Sequence, residues 1–388
     1  MKIAFATIGD PKDIRRGSGT PYYLSSELKR QGHTVHYVGP LDIHFPLPTR
    51  IFKFFSRLQN KRYRSYQDPF VGRKIGRLVE NKLQDLEYDV LLTNDYVITG
   101  FTKIKKPVVL YTDAIFTFNY SANIHPWLAN LSTIAVYFCQ KITTNGLQRA
   151  TRAIFAAQFA LEEAKNYIPE HLEKLTVIPY GANIEDPGST IAHRNFETIR
   201  SKKQLDLLFV GKDWKLKGGE IAVNTVKLLN EEGVDTVLHL VGVHLDIRLN
   251  YSFVKNYGLL HKDKPEDNAK LQKLFSFCDA LIVPSKAEGY GLVFVEAAAY
   301  GLPSLAFHSM GMITSVKHGE SGILFDVSEN EASFAEQILS WFRNPDIYHQ
   351  LSLGARRHYE QTANWNIAVS RLVKVLNAAV TEYAFTER

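Results

Sequence analysis

The stretch PSKAEGYGLVFVEA, residues 284–297, limits the possible folds more than any other part of the chain. It follows the apolar run Ala280 to Val283, which reads as a buried strand closed by Pro284. Gly289 and Gly291 come next, where the backbone can turn sharply and approach a ligand because no Cβ intervenes. From Leu292 the apolar residues run into a helix, Val293 to Tyr300, stopped by Gly301 and Pro303. Strand, glycine turn and helix in that order belong to an α/β protein with a parallel sheet. The first helical turn offers unpaired N–H groups and the positive end of the helix dipole, a seat for phosphate. Glu288 stands before the turn and Glu296 within the helix. Carboxylates on either side of such a turn suit a ligand with sugar hydroxyls at both ends and phosphates in the middle.

The E-x7-E spacing in the setting EGYGLVFVEA resembles the signature of the retaining GT-B glycosyltransferases, in particular family 4 of the sugar-transferase classification. The resemblance implies an α/β fold of two Rossmann-like, doubly wound domains facing across a cleft. It also implies that Glu296 holds the ribose of a nucleotide sugar and that Glu288 lies near the transferred sugar. The backbone amides of Gly289, Tyr290, Gly291 and Leu292 would then meet the diphosphate. The rival reading is two surface glutamates beside an ordinary loop.

Length and composition agree with two globular domains: 388 residues, 45% hydrophobic and 22% charged. The two cysteines, Cys139 and Cys278, each sit alone in apolar surroundings, which fits a reducing compartment and a cytoplasmic protein. No Cys/His cluster has metal-ligand spacing, so neither metal nor cofactor is expected beyond a nucleoside diphosphate sugar as donor substrate. The opening MKIAFATIGD is too short for a signal peptide and reads as a first strand. No apolar run is long enough to span a bilayer. The net charge of +6 is compatible with anionic partners without choosing among them.

The first half is expected to form one domain, residues 1–180, with the C-terminal helix 366–388 crossing back onto it. Lys2 to Ile8 is a strand, and 9–19 is a loop ending Gly17-Ser18-Gly19. A helix runs from Thr20 to Gln31, with Thr20 as N-cap and Pro21 at the first helical position, and His33 to Val38 is the second strand. A dinucleotide fingerprint fails here: Tyr22 takes the third glycine's place and no acidic residue ends the second strand. The resemblance carries Gly17, Ser18 and Gly19 toward the donor phosphates or the acceptor. Strands Tyr88 to Thr93 and Pro107 to Tyr111 end in Asn94-Asp95 and Thr112-Asp113, and strand C-termini are where doubly wound sheets bind ligands. Asp113 followed by Ala114 resembles one variant of the family, with Asp113 near the acceptor or the donor hydroxyls; a helix cap is its alternative. Residues 126–149 are expected to be helical.

Residues 44–79 hold nine Lys or Arg and a single acid, Asp68, interleaved with aromatics. On a helical wheel Leu47, Ile51, Phe54, Phe55 and Leu58 share a face flanked by Arg50, Lys53, Arg57 and Lys61. That is the pattern of a helix lying on an anionic membrane, at the inner face for a cytoplasmic protein. An ordinary helix packing its apolar stripe on the sheet fits equally. A nucleic-acid partner ranks last, because no recognition motif accompanies the charge.

Residues 181–204 have linker composition, and the β-loop-α pattern restarts at Leu205, giving a second domain over 205–365. Its first strand, Asp206 to Val210, runs into GKDWKLKGGE, residues 211–220. Gly211 with Lys212, Lys215 and Lys217 falls where a diphosphate would sit, and neutralising the leaving phosphate is the main electrostatic need of sugar transfer. The resemblance assigns Lys212 and Lys217 to the family's two basic positions. The strand Val237 to Val241 ends at Gly242, and 243–248 and 260–267 are expected to flank the base. Where the family usually shows Gly-Gly-x-Pro, this chain reads Met310-Gly311-Met312-Ile313.

Together these residues point to a metal-independent retaining glycosyltransferase of polysaccharide biosynthesis. It would take a nucleotide sugar on the second domain and a cell-envelope or lipid-linked glycan acceptor on the first. Two alternatives stay open: a catalytically altered nucleotide-sugar or glycan-binding protein, motivated by Met310 and Met312, and a sugar-nucleotide epimerase of the same fold.

Overall fold

The computed structural model describes residues 1–118, 128–188, 202–243 and 251–386. The chain divides into two units, Met1–Pro179 with Ala368–Arg388, and Tyr180–Ile367.

In the first unit six strands form one parallel sheet: β1 (Lys2–Ala6), β2 (Thr34–Val38), β3 (Val90–Thr93), β4 (Val108–Thr112), β5 (Arg152–Phe155) and β6 (Leu175–Val177). Their order is β2-β1-β3-β4-β5-β6, and β1 pairs Ile3 with both Val35 and Val90. The central strands are apolar almost without interruption because helices cover both faces of a parallel sheet. The described helices are α1 (Thr20–Arg30), α2 (Leu47–Leu58), α3 (Pro69–Leu83), α4 (Tyr96–Phe101), α5 (Thr133–Arg149) and α6 (Gln158–Tyr167). Ile75 and Val79 of α3, Ile98 of α4 and Ile142 of α5 share a buried core with Leu91, Leu110 and Phe155.

Two expectations about this unit need correction. Gly19, not Thr20, caps α1: it has φ 90°, a left-handed conformation that glycine takes at little cost, so Thr20 and Pro21 are already helical. The helix expected over 126–149 starts at Thr133, and 126–127 lie outside the described residues. Asn130 turns the chain at φ 59° and residues 131–132 run extended, because their backbone is used elsewhere: Arg62 N–H donates to Asn130 O at 2.7 Å, and Ser132 N–H donates to Arg62 O at 3.0 Å.

The second unit repeats the plan with β7 (Leu205–Val210), β8 (Thr236–Val241), β9 (Val254–Asn256), β10 (Ala280–Ile282), β11 (Ser304–Phe307) and β12 (Gly322–Phe325). The strands are parallel in the order β12-β11-β10-β7-β8-β9, a doubly wound sheet whose winding reverses between β7 and β10. Its described helices are α7 (Gly219–Glu231), α8 (Pro265–Phe277), α9 (Leu292–Ala299), α10 (Met312–Ser315), α11 (Glu331–Arg343), α12 (Pro345–Gln361) and α13 (Trp365–Thr386). From Ala368 onward α13 belongs to the first unit. At the starting end of the second sheet, Asp206 and Asp279 share the Lys202 ammonium, and His239 Nε2 lies 2.9 Å from Asp206 Oδ1. The linker segment 189–201 and most of the base-flanking loop expected over 243–248 lie outside the described residues.

Candidate active site

In doubly wound sheets the ligand crevice forms at the carboxyl ends of the strands where the winding reverses. In the second unit that place lies beyond β7 and β10. The loop 211–218 leaves β7, and the turn 284–291 leaves β10. The two are bound to each other through one carbonyl: Leu216 O accepts from Lys286 N–H at 2.9 Å and from Ser285 Oγ at 3.3 Å. Gly218, at φ 73°, fits so closely under Pro284 that a Cβ there would stand 2.2 Å from the Pro284 carbonyl oxygen. Within the loop, Asp213 accepts from Leu216 N–H at 3.0 Å and closes the turn. The result places Lys217 on Glu288 in an ion pair, both side chains mostly buried. Lys212 and Lys215 project from the same loop and are exposed. Gly242, at φ 90°, crowds the same end of the sheet, where a Cβ would stand 2.8 Å from Gly211 O.

Gly291, at φ 88°, caps α9 and leaves the first N–H groups of that helix unpaired by any side-chain cap. The Tyr290 side chain does not face this end: it is buried, and its hydroxyl donates to Tyr180 O at 3.0 Å. Only the Tyr290 backbone can serve a ligand. One turn into α9, Glu296 is buried and meets Lys262 Nζ at 2.5 Å. Burial pushes the Glu296 pKa up, while the Lys262 charge and the Asn183 N–H pull it back. Lys262 also donates to Asn183 O at 3.0 Å, and the Asn183 side chain accepts from the Trp365 indole at 2.8 Å.

The departure Met310-Gly311-Met312-Ile313 retains the one glycine that the packing demands. Gly311 lies against the turn, where a Cβ would stand 2.4 Å from Gly289 O and 2.6 Å from Tyr290 Cα. Its N–H donates to Glu288 O at 3.2 Å. Met310 takes φ 46°, unusual for a residue with a side chain, and Met312 is buried.

In the first unit the winding reverses between β1 and β3. Gly17, Ser18 and Gly19 lie in the loop after β1, all three with positive φ, at 53°, 55° and 90°. A serine held left-handed amid two glycines is a local strain of the kind that collects at functional loops. Asp95, after β3, caps α4 by accepting from Val97 N–H at 2.8 Å; burial raises its pKa, opposed by that hydrogen bond and by Arg64. A polar cavity of about 190 Å³ opens at these strand ends, lined by Arg64, Asn94, Asp95, Thr112 and Ala114 among others. Asp113 follows β4 at the same edge.

Residues 192–358 match the family model for glycosyl transferases group 1. The chain carries a group 1 glycosyltransferase domain. The domain covers the loop after β7, the turn after β10 and both glutamates. A D-inositol 3-phosphate glycosyltransferase of Thermomonospora curvata is 29% identical over 185 residues, 45% of this chain and 42% of that protein. The chain spans about half the length of the curated relatives it matches. Among solved structures, Anabaena Alr3699/HepE in complex with UDP superposes with a TM-score of 0.65 at 17% identity, covering 97% of this chain and 100% of that one. Sucrose-phosphate synthase from Thermosynechococcus elongatus superposes at 0.68 with 16% identity, covering 98% and 100%. These neighbours establish the fold as GT-B, with two Rossmann-like units.

Within the group 1 domain, sequence reasoning missed Lys262. It lies in the 260–267 segment that the resemblance assigns to the base, yet its ammonium sits on the carboxylate expected to hold ribose. Among the described residues no group of three His, Cys, Asp or Glu side chains could hold a metal ion. Cys139 and Cys278 are both buried.

Proposed function

We propose that the chain is a retaining glycosyltransferase that moves a sugar from a nucleoside diphosphate sugar to an acceptor hydroxyl. The observation that carries this reading is the joining of the 211–218 loop to the 284–291 turn where the second sheet reverses its winding. That junction brings Lys217, two further lysines and the amino end of α9 to one end of the sheet, a surface suited to a diphosphate. Glu296 lies one helical turn beyond, where a ribose hydroxyl can compete with Lys262 for it. The reaction needs no protein nucleophile on this reading. The acceptor oxygen bonds the anomeric carbon on the face the phosphate leaves, the carbon–phosphate-oxygen bond breaks, and the departing phosphate takes the acceptor's proton. Lysine charge meets the developing phosphate charge without a metal.

Asp113, Gly17, Ser18 and Gly19 are assigned to the acceptor or donor hydroxyls from the first unit. The acceptor class is a cell-envelope or lipid-linked glycan, and the protein is a cytoplasmic, peripheral one whose segment 44–79 meets an anionic membrane. The described residues form no helix long and apolar enough to cross a membrane. The test is UDP, GDP or ADP release from a panel of nucleotide sugars, with and without acceptor. Tight nucleotide binding with no turnover on any sugar would favour the catalytically altered alternative, which Met310 and Met312 motivate.

A further inference from the structure

Helix α2 divides into three stripes around its 3.6-residue turn. Thr49, Phe52 and Ser56 face the protein: Phe52 stacks with Tyr63 and meets Phe138 edge-on, and Ser56 Oγ lies 2.7 Å from Ser132 Oγ. On the far side Leu47, Ile51, Phe54, Phe55 and Leu58 are 67%, 43%, 58%, 57% and 64% exposed. The alternative in which this stripe packs on the sheet is therefore excluded; the helix turns its apolar face outward. Between the two lies a third stripe of Arg50, Lys53 and Arg57, all exposed, with no ion pair among the described residues. This basic stripe walls a cavity of about 570 Å³, with His44, Phe45, Phe54 and Ser65 among the other residues that line it.

A contiguous exposed apolar face on a monomer marks an interaction site. The adjoining charge says which kind. Five apolar side chains side by side gain nothing from a polyphosphate or a nucleic-acid backbone, whereas a bilayer offers acyl chains to that face and phosphates to the cations beside it. We propose that the cavity beside α2 seats the phosphate headgroup of an anionic membrane lipid while the apolar face of α2 enters the same leaflet. The inference rests on the peripheral-membrane reading and deepens it. The cavity makes the lysine and arginines a defined headgroup site, beyond a share of the general positive charge.

Vesicle sedimentation of the full chain on phosphatidylglycerol/phosphatidylcholine and on pure phosphatidylcholine separates the possibilities. Wild type should pellet with the anionic vesicles only. Each cation near an anionic surface contributes enough that R50Q/K53Q/R57Q should weaken binding roughly 100-fold. The control R62Q/R73Q/R77Q removes the same charge from residues that do not line the cavity and should lose at least tenfold less. Equal losses in the two triple variants would overturn the headgroup seat and leave peripheral attachment standing. Equal binding of wild type to neutral and anionic vesicles would overturn both. I51S/F55S/L58S alters only exposed side chains and should abolish pelleting; unchanged pelleting would overturn insertion of α2. Tighter binding to a single-stranded RNA oligonucleotide than to anionic vesicles, or calorimetric binding of free glycerol 3-phosphate as tight as that of the vesicles, would overturn the membrane as the phosphate source. UDP affinity should be unchanged in all three variants, so a failure here is distinct from a failure of the sugar-transfer reading.

Discussion

Lys217 and Glu288 come from segments 71 positions apart in the chain and meet in an ion pair, one from the loop after β7 and one from the turn after β10. Each neutralises the other while no phosphate is present, so the pair holds the lysine at the mouth of the turn with modest exposure. A diphosphate arriving there meets a cation already positioned, and positioned charge is the form of electrostatic help that costs least at the moment of reaction. We expect Lys217→Ala to lower turnover roughly 10²–10³-fold, the scale for losing one such donor. The measurement is the rate of nucleotide release from the best sugar of the panel; a near-normal rate would contradict the assignment.

Glu296 and Lys262 pose a different question, because that pair is more deeply buried on the carboxylate side. Removing one partner of a buried pair strands the other. Lys262→Met should therefore destabilise the protein by about 3 kcal/mol, with much of the loss recovered in the Glu296→Gln/Lys262→Met double variant. Urea midpoints of the single and double variants decide it. Glu296→Ala should weaken UDP binding in calorimetry, and an unchanged affinity would remove the ribose role.

Gly218 is not among the residues assigned to the ligand, yet it should matter to binding. A methyl there collides with the Pro284 carbonyl and the residue keeps φ 73°. Gly218→Ala should cost more than about 1 kcal/mol and pull the loop from the turn. UDP affinity should drop with it; retention of wild-type affinity in a destabilised Gly218→Ala protein would show that loop and turn act separately.

His358 supplies a pH dependence. It is buried, with Nε2 3.2 Å from Ser315 O, and burial holds its pKa down at about 4 against an ordinary 6.5. Well above pH 6.5 neither folded nor unfolded chain is protonated there, and its contribution is complete. As the pH falls toward 4 the unfolded chain binds a proton that the folded one refuses, and stability declines by about 3 kcal/mol. His358→Gln should flatten that part of the curve of denaturation midpoint against pH. An identical acid slope in the variant would place the proton uptake elsewhere.

Much of this was legible in the residues themselves, for local reasons. The strand, turn and helix across 280–300 each have a nearby cause: an apolar run, Gly291 in a left-handed conformation, and Gly301 with Pro303 at the stop. The apolar stripe of α2 was equally visible as a period, but a period cannot say what covers it. The exposure of Phe54 and Phe55 is a property of the tertiary fold. Lys262 escaped notice because its partner is 34 residues away and no motif ties the two together. The start of α5 was missed because the backbone of Asn130 and Ser132 pairs with Arg62, a contact between distant segments that no propensity of residues 126–132 announces.

Asn183 serves three neighbours at once: its carbonyl takes Lys262, its side-chain oxygen takes the Trp365 indole, and its N–H supports Glu296. It lies three residues after the chain enters the second unit at Tyr180, and Trp365 lies just before the chain leaves that unit at Ile367. Anyone splicing this first unit onto a foreign second one must therefore cut at 179/180 and 367/368. A junction moved inward by even a handful of positions would part the asparagine from the tryptophan and leave the carboxylate's surroundings half transplanted.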